Sequence, residues 1–164
     1  MKHILFAVCA ALFAGCVRLA PPVTVDTASE MIRNGRADCI VIKNGTVAAK
    51  EKGRGLSPLL NIYKADPAVL HDAVIVDKVI GRAAAFVIIA GESRQAHGEL
   101  ISEDAIELLK KHNIAVSGTK IVPRILNRRM NGLCPLEQSV AGLDDPAQAL
   151  AALEKRIAEM QRGR

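Results

Sequence analysis

Cys39-Ile40-Val41-Ile42-Lys43-Asn44-Gly45-Thr46-Val47-Ala48-Ala49-Lys50 is the stretch that decides the fold. Two short runs suited to strands are separated by Asn-Gly, the two-residue signal for a tight hairpin turn, because both central residues of that turn need a positive φ and these two tolerate it best. The first two strands are therefore antiparallel neighbours. Any sheet that combines them with crossover-linked strands must be mixed.

Outward from the hairpin the chain alternates helix and strand. On the N-terminal side, Thr27-Ala28-Ser29-Glu30 has capping-box spacing and predicts a short helix that Gly35 closes. On the C-terminal side, Gly53-Arg54-Gly55 is a flexible joint, Ser57-Pro58 starts a helix to about Lys64, and Asp66-Pro67 opens a brief turn. Ala73 to Val76 is a short apolar run, after which Asp77 or Lys78 leads into a small-residue helix over Gly81 to Ala90. Arg94 to Ile101 reads as a strand, Ser102-Glu103 caps a helix to His112, and Asn113 suits a left-handed terminus. Ile114 to Ser117 reads as the last strand, followed by a helix from about Ile121 to Met130. Asp145-Pro146 opens a C-terminal helix over 145–162 with Leu150, Leu153, Ile157 and Met160 on one stripe, a docking face. Helix–strand repeats with right-handed crossovers make the last strands parallel and put helices on both faces, so the expected fold is a three-layer α/β/α sandwich with a mixed sheet.

Composition narrows the function. The net charge of +5 in 164 residues is mild and spread along the chain, and there is no Trp, one Tyr and three Phe, of which only Phe86 lies beyond the N-terminal apolar segment. Base-stacking platforms need aromatic side chains, so no nucleic-acid partner is expected. Half of the residues are hydrophobic, and they are chiefly aliphatic, which suits helices packed on a sheet.

Ile4 to Ala14 is an uncharged apolar run after Met1-Lys2-His3, too short for a stable membrane-crossing helix, and it reads as an export signal over 1–15. Phe13-Ala14-Gly15-Cys16 resembles a lipoprotein processing site, with Phe13 where Leu is usual. Cys16 is then the lipid-bearing first residue and 16–27 a Pro-containing tether, which implies a cell-envelope lipoprotein touching the membrane through its lipid. The alternative is a misassigned start codon before a cytoplasmic domain. With Cys9 and Cys16 in this segment, the folded part keeps Cys39, in an apolar strand pattern, and Cys134. Two cysteines do not make a disulfide scaffold.

The candidate working site is the loop that gathers Asn127, Arg128, Gly132, Cys134, Pro135 and Glu137 around a Gly/Pro-shaped turn. Cys134 is a candidate nucleophile or an inert packed thiol. Arg128 can clamp an anion or pair with Glu137, and Asn127 can orient a ligand or cap a helix. Gly53-Arg54-Gly55, before a helix, is a weak candidate anion cradle.

Asp77-Lys78-Val79-Ile80-Gly81-Arg82-Ala83-Ala84-Ala85, then Leu100-Ile101-Ser102, then Asn127-Arg128 and Gly132-Leu133-Cys134-Pro135-Leu136-Glu137 resemble, in that order, the prokaryotic domain of unknown function numbered 1893. The resemblance runs from about Ala28 to Val140, the expected domain over 28–140, and implies a cytidine deaminase-like fold. It also implies that Asp77 and Lys78, before the helix lining that superfamily's cleft, share a pocket with the Cys134 loop. The superfamily's zinc ligands are missing: Ala83-Ala84-Ala85 and Ser102-Glu103-Asp104-Ala105 stand where His or Cys, Glu and paired Cys belong. His97-Gly98-Glu99 fits a bare H-x-E pattern but falls in an expected strand, while His71 and His112 sit near element ends. No metal and no cofactor are expected. The leading expectation is a zinc-less, deaminase-like domain that binds a small, nucleotide- or nucleobase-like metabolite. The alternatives are a thiol-dependent enzyme or sulfur carrier using Cys134, and a non-catalytic structural or interaction module.

Overall fold

The computed structural model describes residues 21–163. The expected signal segment, the Cys16 site and the first part of the tether lie outside them. The elements are α1 (Val25–Arg33), β1 (Cys39–Lys43), β2 (Thr46–Glu51), α2 (Ser57–Ala65), a 3-10 turn at Pro67–Val69, β3 (Val74–Ile80), α3 (Arg82–Ala90), β4 (Gln95–Ser102), α4 (Glu103–Lys111), β5 (Ala115–Val122), α5 (Pro135–Ser139) and α6 (Pro146–Arg162).

The sheet order is β2-β1-β3-β4-β5. The hairpin forms as its sequence directs, with Asn44 at φ 51° and Gly45 at φ 70°. β1 is antiparallel to β2 and to β3, whereas β3, β4 and β5 run parallel. Cys39, Val41, Ile75 and Ala96 face a large core made with α2, α3, α4 and α6. Ile40, Ile42, Val74 and Val76 face the other way, onto Ala28 and Ile32 of α1. The sheet thus lies between two helical layers, one of them, among the described residues, a single helix over β1 and β3, an α/β arrangement that fits a three-layer sandwich.

Three expectations are corrected. α1 begins a turn earlier, because the capping box is formed by Thr24 and Thr27 rather than started by Thr27, so the last tether residues are helical. β3 continues through Asp77 and Lys78, which are strand residues and do not lead into α3. The stretch from Ile121 is not a helix: β5 runs on to Val122 along β4, Pro123 ends it, and Leu126 bridges back to Leu133 in a narrow arm. The apolar pairs Ile121-Val122 and Ile125-Leu126 imitate helical spacing, but the open edge of β4 supplies a ladder for the first pair, and proline cannot extend it.

One irregularity positions the site. Ile75 and Ile80 belong to the same core face although five residues apart, and so do Ala96 and Ile101. Strict alternation would place residues five apart on opposite faces. The phase changes at a single level, where the ladders pass from Asp77–Gly98–Gly118 to Val79–Leu100–Lys120 and skip Lys78, Glu99 and Thr119. Glycine is required at two of these positions. A Cβ on Gly98 would come 2.9 Å from the Leu100 carbonyl oxygen, and one on Gly118 would meet the side chain of Ile101.

Candidate functional site

Asp77 stands where β3 changes phase. It is 3% exposed, and its Oδ1 accepts a hydrogen bond from the Val79 amide at 2.9 Å, so the side chain takes a donor that the broken ladder leaves over. Cys39 lies directly opposite on β1, and its thiol donates to the Asp77 carboxylate. Burial pushes Asp77 up to about 7, against the lowering effect of the Val79 amide and the Cys39 thiol. Burial likewise raises Cys39 well above the ordinary thiol range, with Asp77 adding to the effect. Cys39 is therefore a buried, inert thiol.

Lys78 points elsewhere. Its Nζ lies 3.1 Å from Asp38 Oδ1, and Asp38 Oδ2 accepts from the Gly53 amide at 3.0 Å. The Gly53 amide, followed by the Lys78 ammonium, holds Asp38 below its ordinary value. Gly53, part of the expected anion cradle, is thus already engaged by a carboxylate of the chain itself.

Glu137 has the most developed geometry. α3 starts at Gly81, which has no side chain to cap it. The Glu137 carboxylate fills that role from α5: Oε2 accepts from the Arg82 amide at 2.8 Å and Oε1 from the Ala83 amide at 3.0 Å. The glycine is structural here, because a Cβ at residue 81 would sit 2.6 Å from Glu137 Cδ. Two amides and a helix dipole favour the carboxylate. Even so, burial raises Glu137 above its ordinary value, outweighing both amides. Beside it, Arg82 donates through Nη2 to the Leu143 carbonyl and reaches Asp144 Oδ1 at 3.3 Å, and its guanidinium stands 5.3 Å from the centre of the Phe86 ring. The Arg82 Nε is buried without a hydrogen-bond partner among the described residues.

The remaining predicted residues do not converge on Asp77. Asn127 braces the tip of the arm: its Nδ2 donates to Asn131 Oδ1 at 2.9 Å, its Oδ1 accepts from the Asn131 amide at 3.3 Å, and its own amide donates to the Gly132 carbonyl. Arg128 is exposed at that tip, and among the described residues no ion pair joins it to Glu137, because Glu137 is turned toward α3. Cys134 is half-buried at the start of α5, with its amide donating to the Ile125 carbonyl. No hydrogen bond or ion pair among the described residues links Asp77 or Lys78 to the segment 127–137. What meets across the start of α3 is Glu137 with Arg82, Ala83, Leu143 and Asp144. Of these partners the sequence reading named none as a site residue, and Gly81 before an uncapped helix was the only local signal.

His97 and Glu99 stand on the sheet face that α1 leaves open. His97 Nδ1 lies 2.8 Å from Ser117 Oγ and Nε2 lies 3.3 Å from Thr119 Oγ1, while Glu99 pairs with Arg33 at 3.2 Å. Among the described residues no cluster of three His, Cys, Asp or Glu side chains could hold a metal ion, and no helix is long and apolar enough to cross a membrane. Two surface depressions, of about 240 and 350 Å³, lie beside α1 and between β2 and α2.

The sequence profile of the domain of unknown function DUF1893 (TM1506) matches residues 27–157. The chain belongs to that family, and the match takes in most of α6, whose Ala149 and Leu153 are fully buried in the main core. The crystal structure of a DUF1893 family protein from Thermotoga maritima superposes with a TM-score of 0.73 at 21% identity, covering 80% of this chain and 88% of that one. At that identity the likeness shows the shared fold. No curated protein matches.

Proposed function

We propose that the chain is a zinc-less domain of the cytidine deaminase-like superfamily that binds a small anionic metabolite at the start of α3, where Glu137 holds the metabolite's place. The observation that carries this reading is the seat of the Glu137 carboxylate on two consecutive helix amides over a glycine. Such a seat receives a carboxylate or phosphate oxygen equally well. Glu137 is a weak latch, because burial costs its charge more than the amides return. The element that carries it, α5, has five residues and none fully buried, and the chain after it is anchored by buried Val140. The unpartnered Arg82 Nε offers an entering anion one more donor.

Zinc chemistry does not suit these residues. Ala83-Ala84-Ala85 and Ser102-Glu103-Asp104-Ala105 open α3 and α4, and their methyl groups bind no metal. Anion recognition through backbone amides needs no aromatic platform, so the ligand's acidic group, a nucleotide phosphate included, is the handle. A lipid on Cys16 would hold the domain at a membrane surface, with the residues before α1 as the tether.

The test is calorimetric titration of the native protein and Glu137→Ala with inorganic phosphate and a small dicarboxylate, with mass spectrometry of the small molecules each protein retains. Tighter anion binding by the variant, which lacks the internal competitor, supports the reading. If neither protein binds or retains an anion and the variant only melts earlier, Glu137 is a helix cap and nothing more. A second reading, an interaction module, is favoured by Leu126 and Met130, which are exposed on the arm beside Arg124, Arg128 and Arg129.

A further inference from the structure

We propose that two copies of this chain associate about a two-fold axis through antiparallel pairing of β5 with β5, joining two five-stranded sheets edge to edge. The two edges of the sheet are not equivalent. β2 is six residues long, its register with β1 slips at Val41/Ile42, and Lys50, Glu51 and Lys52 close it. Short length, a bulge and charges are the usual ways an edge strand resists pairing. β5 has eight residues, one charge (Lys120), and no proline before Pro123. Ile121 on it is 57% exposed, the most exposed large hydrophobic residue within any described strand.

The phase change makes β5 self-complementary in a way a regular strand is not. The rungs Ala96–Val116 and Ile101–Ile121 place Val116 and Ile121 on the helix-covered face, since Ala96 and Ile101 both belong to that core. Ala115, Ser117, Lys120 and Val122, their immediate neighbours, then point to the opposite face. Read outward from a midpoint between Gly118 and Thr119, Ser117, Val116 and Ala115 follow the same order of faces as Lys120, Ile121 and Val122, while Thr119, which bonds His97 beside Ser117, lies on the face opposite to Gly118. A two-fold axis normal to the sheet keeps each face on its own side, so directly opposed residues must share a face. About that midpoint the three outer pairs do, and in the central pair Gly118 has no side chain to conflict with Thr119. Val116 falls opposite Ile121 of the second copy, Ser117 opposite Lys120, and Ala115 opposite Val122. Axes centred on neighbouring residues put Ile121 against a residue of the wrong face.

The charges also agree. Lys120 of one copy arrives beside Ser117 of the other, on the open sheet face where Ser117 bonds His97 and where Glu99 lies. Each ammonium therefore meets a neutral hydroxyl rather than the other copy's ammonium, and each Ile121 gains an apolar neighbour across the join.

Sedimentation velocity of the full chain in mild detergent tests this, together with two variants. The native chain is expected at twice the monomer mass. Ile121→Asp, which buries a carboxylate at the join but sits at a position 57% exposed in the single chain, is expected to sediment as a monomer with an unchanged circular dichroism spectrum. Val116→Cys/Ile121→Cys is expected to form a covalent dimer on mild oxidation, because the two positions are opposed between copies and too far apart within one. Either single cysteine variant should give none. A native chain that sediments as a monomer overturns the proposal, and so does a dimer that survives Ile121→Asp while the double-cysteine variant fails to cross-link.

Discussion

Asp77 and Glu137 are carboxylates that this domain takes out of water, and it treats them differently. Asp77 is sealed in the sheet with one amide and one thiol, so it holds its proton up to about pH 7. Glu137 is left partly open, rests on two amides at a helix start, and is raised less. The difference shows that the completeness of burial, set against the number of donors, decides whether a carboxylate is a neutral core group or a charged latch.

The largest test of that contrast is Asp77→Asn. The folded Asp77 titrates at about 7 against an ordinary 3.8, so its contribution to stability is full below about pH 4 and is lost as pH rises toward 7. The loss is on the order of 4 kcal/mol. Asparagine keeps the acceptor for the Val79 amide and cannot ionise. Urea unfolding at pH 5 and pH 8 should show the native protein weakening as pH rises and the variant nearly level, with the variant the more stable at pH 8. Equal pH slopes in the two proteins would mean that Asp77 is solvated.

Next in size is Gly81→Ala. The added methyl lands on the Glu137 carboxylate, and overpacking of this kind costs about 1–3 kcal/mol. Combined with Glu137→Ala, the same methyl should cost far less, so the double variant should be more stable than the two single losses sum to. Additive losses would separate the glycine from the cap.

Glu137→Ala alone removes the one side-chain cap of α3 among the described residues and should lower stability by about 1 kcal/mol, as lost caps do. Because Glu137 is raised on folding, the native protein's advantage over this variant should shrink as pH climbs through the carboxylate range. Thermal melts at pH 4 and pH 7 measure it. The smallest effect belongs to Lys78→Ala. Lys78 is 61% exposed in its pair with Asp38, and the change should cost less than about 0.5 kcal/mol in the same melts. A larger loss would move Lys78 from the surface into the site.

The parts of the fold that follow from local chemistry were legible in the sequence. Asn44-Gly45 turns the hairpin, Ser102 caps α4 at the Ala105 amide, Asn113 takes φ 58°, and Asp145 caps α6 through the amides of Ala147 and Gln148. Each signal involves neighbours in sequence. What was missed depends on distant partners. Asp77 reads as the end of an apolar run because only Cys39 and the skipped ladder level explain a carboxylate inside β3. Ile121 to Met130 reads as a helix because its apolar spacing says nothing of the waiting edge of β4. Glu137 is legible as a site residue, with Arg128 nine positions away as one candidate partner, but the amides it serves are 55 and 54 positions away.

That separation orders the birth of the domain. When α3 has been made through Ala90, Glu137, the group that caps its first turn, is still 47 residues from being made. A nascent chain stopped short of residue 137 therefore carries α3 with two backbone donors waiting, and the first turn of the helix is capped only when α5 arrives.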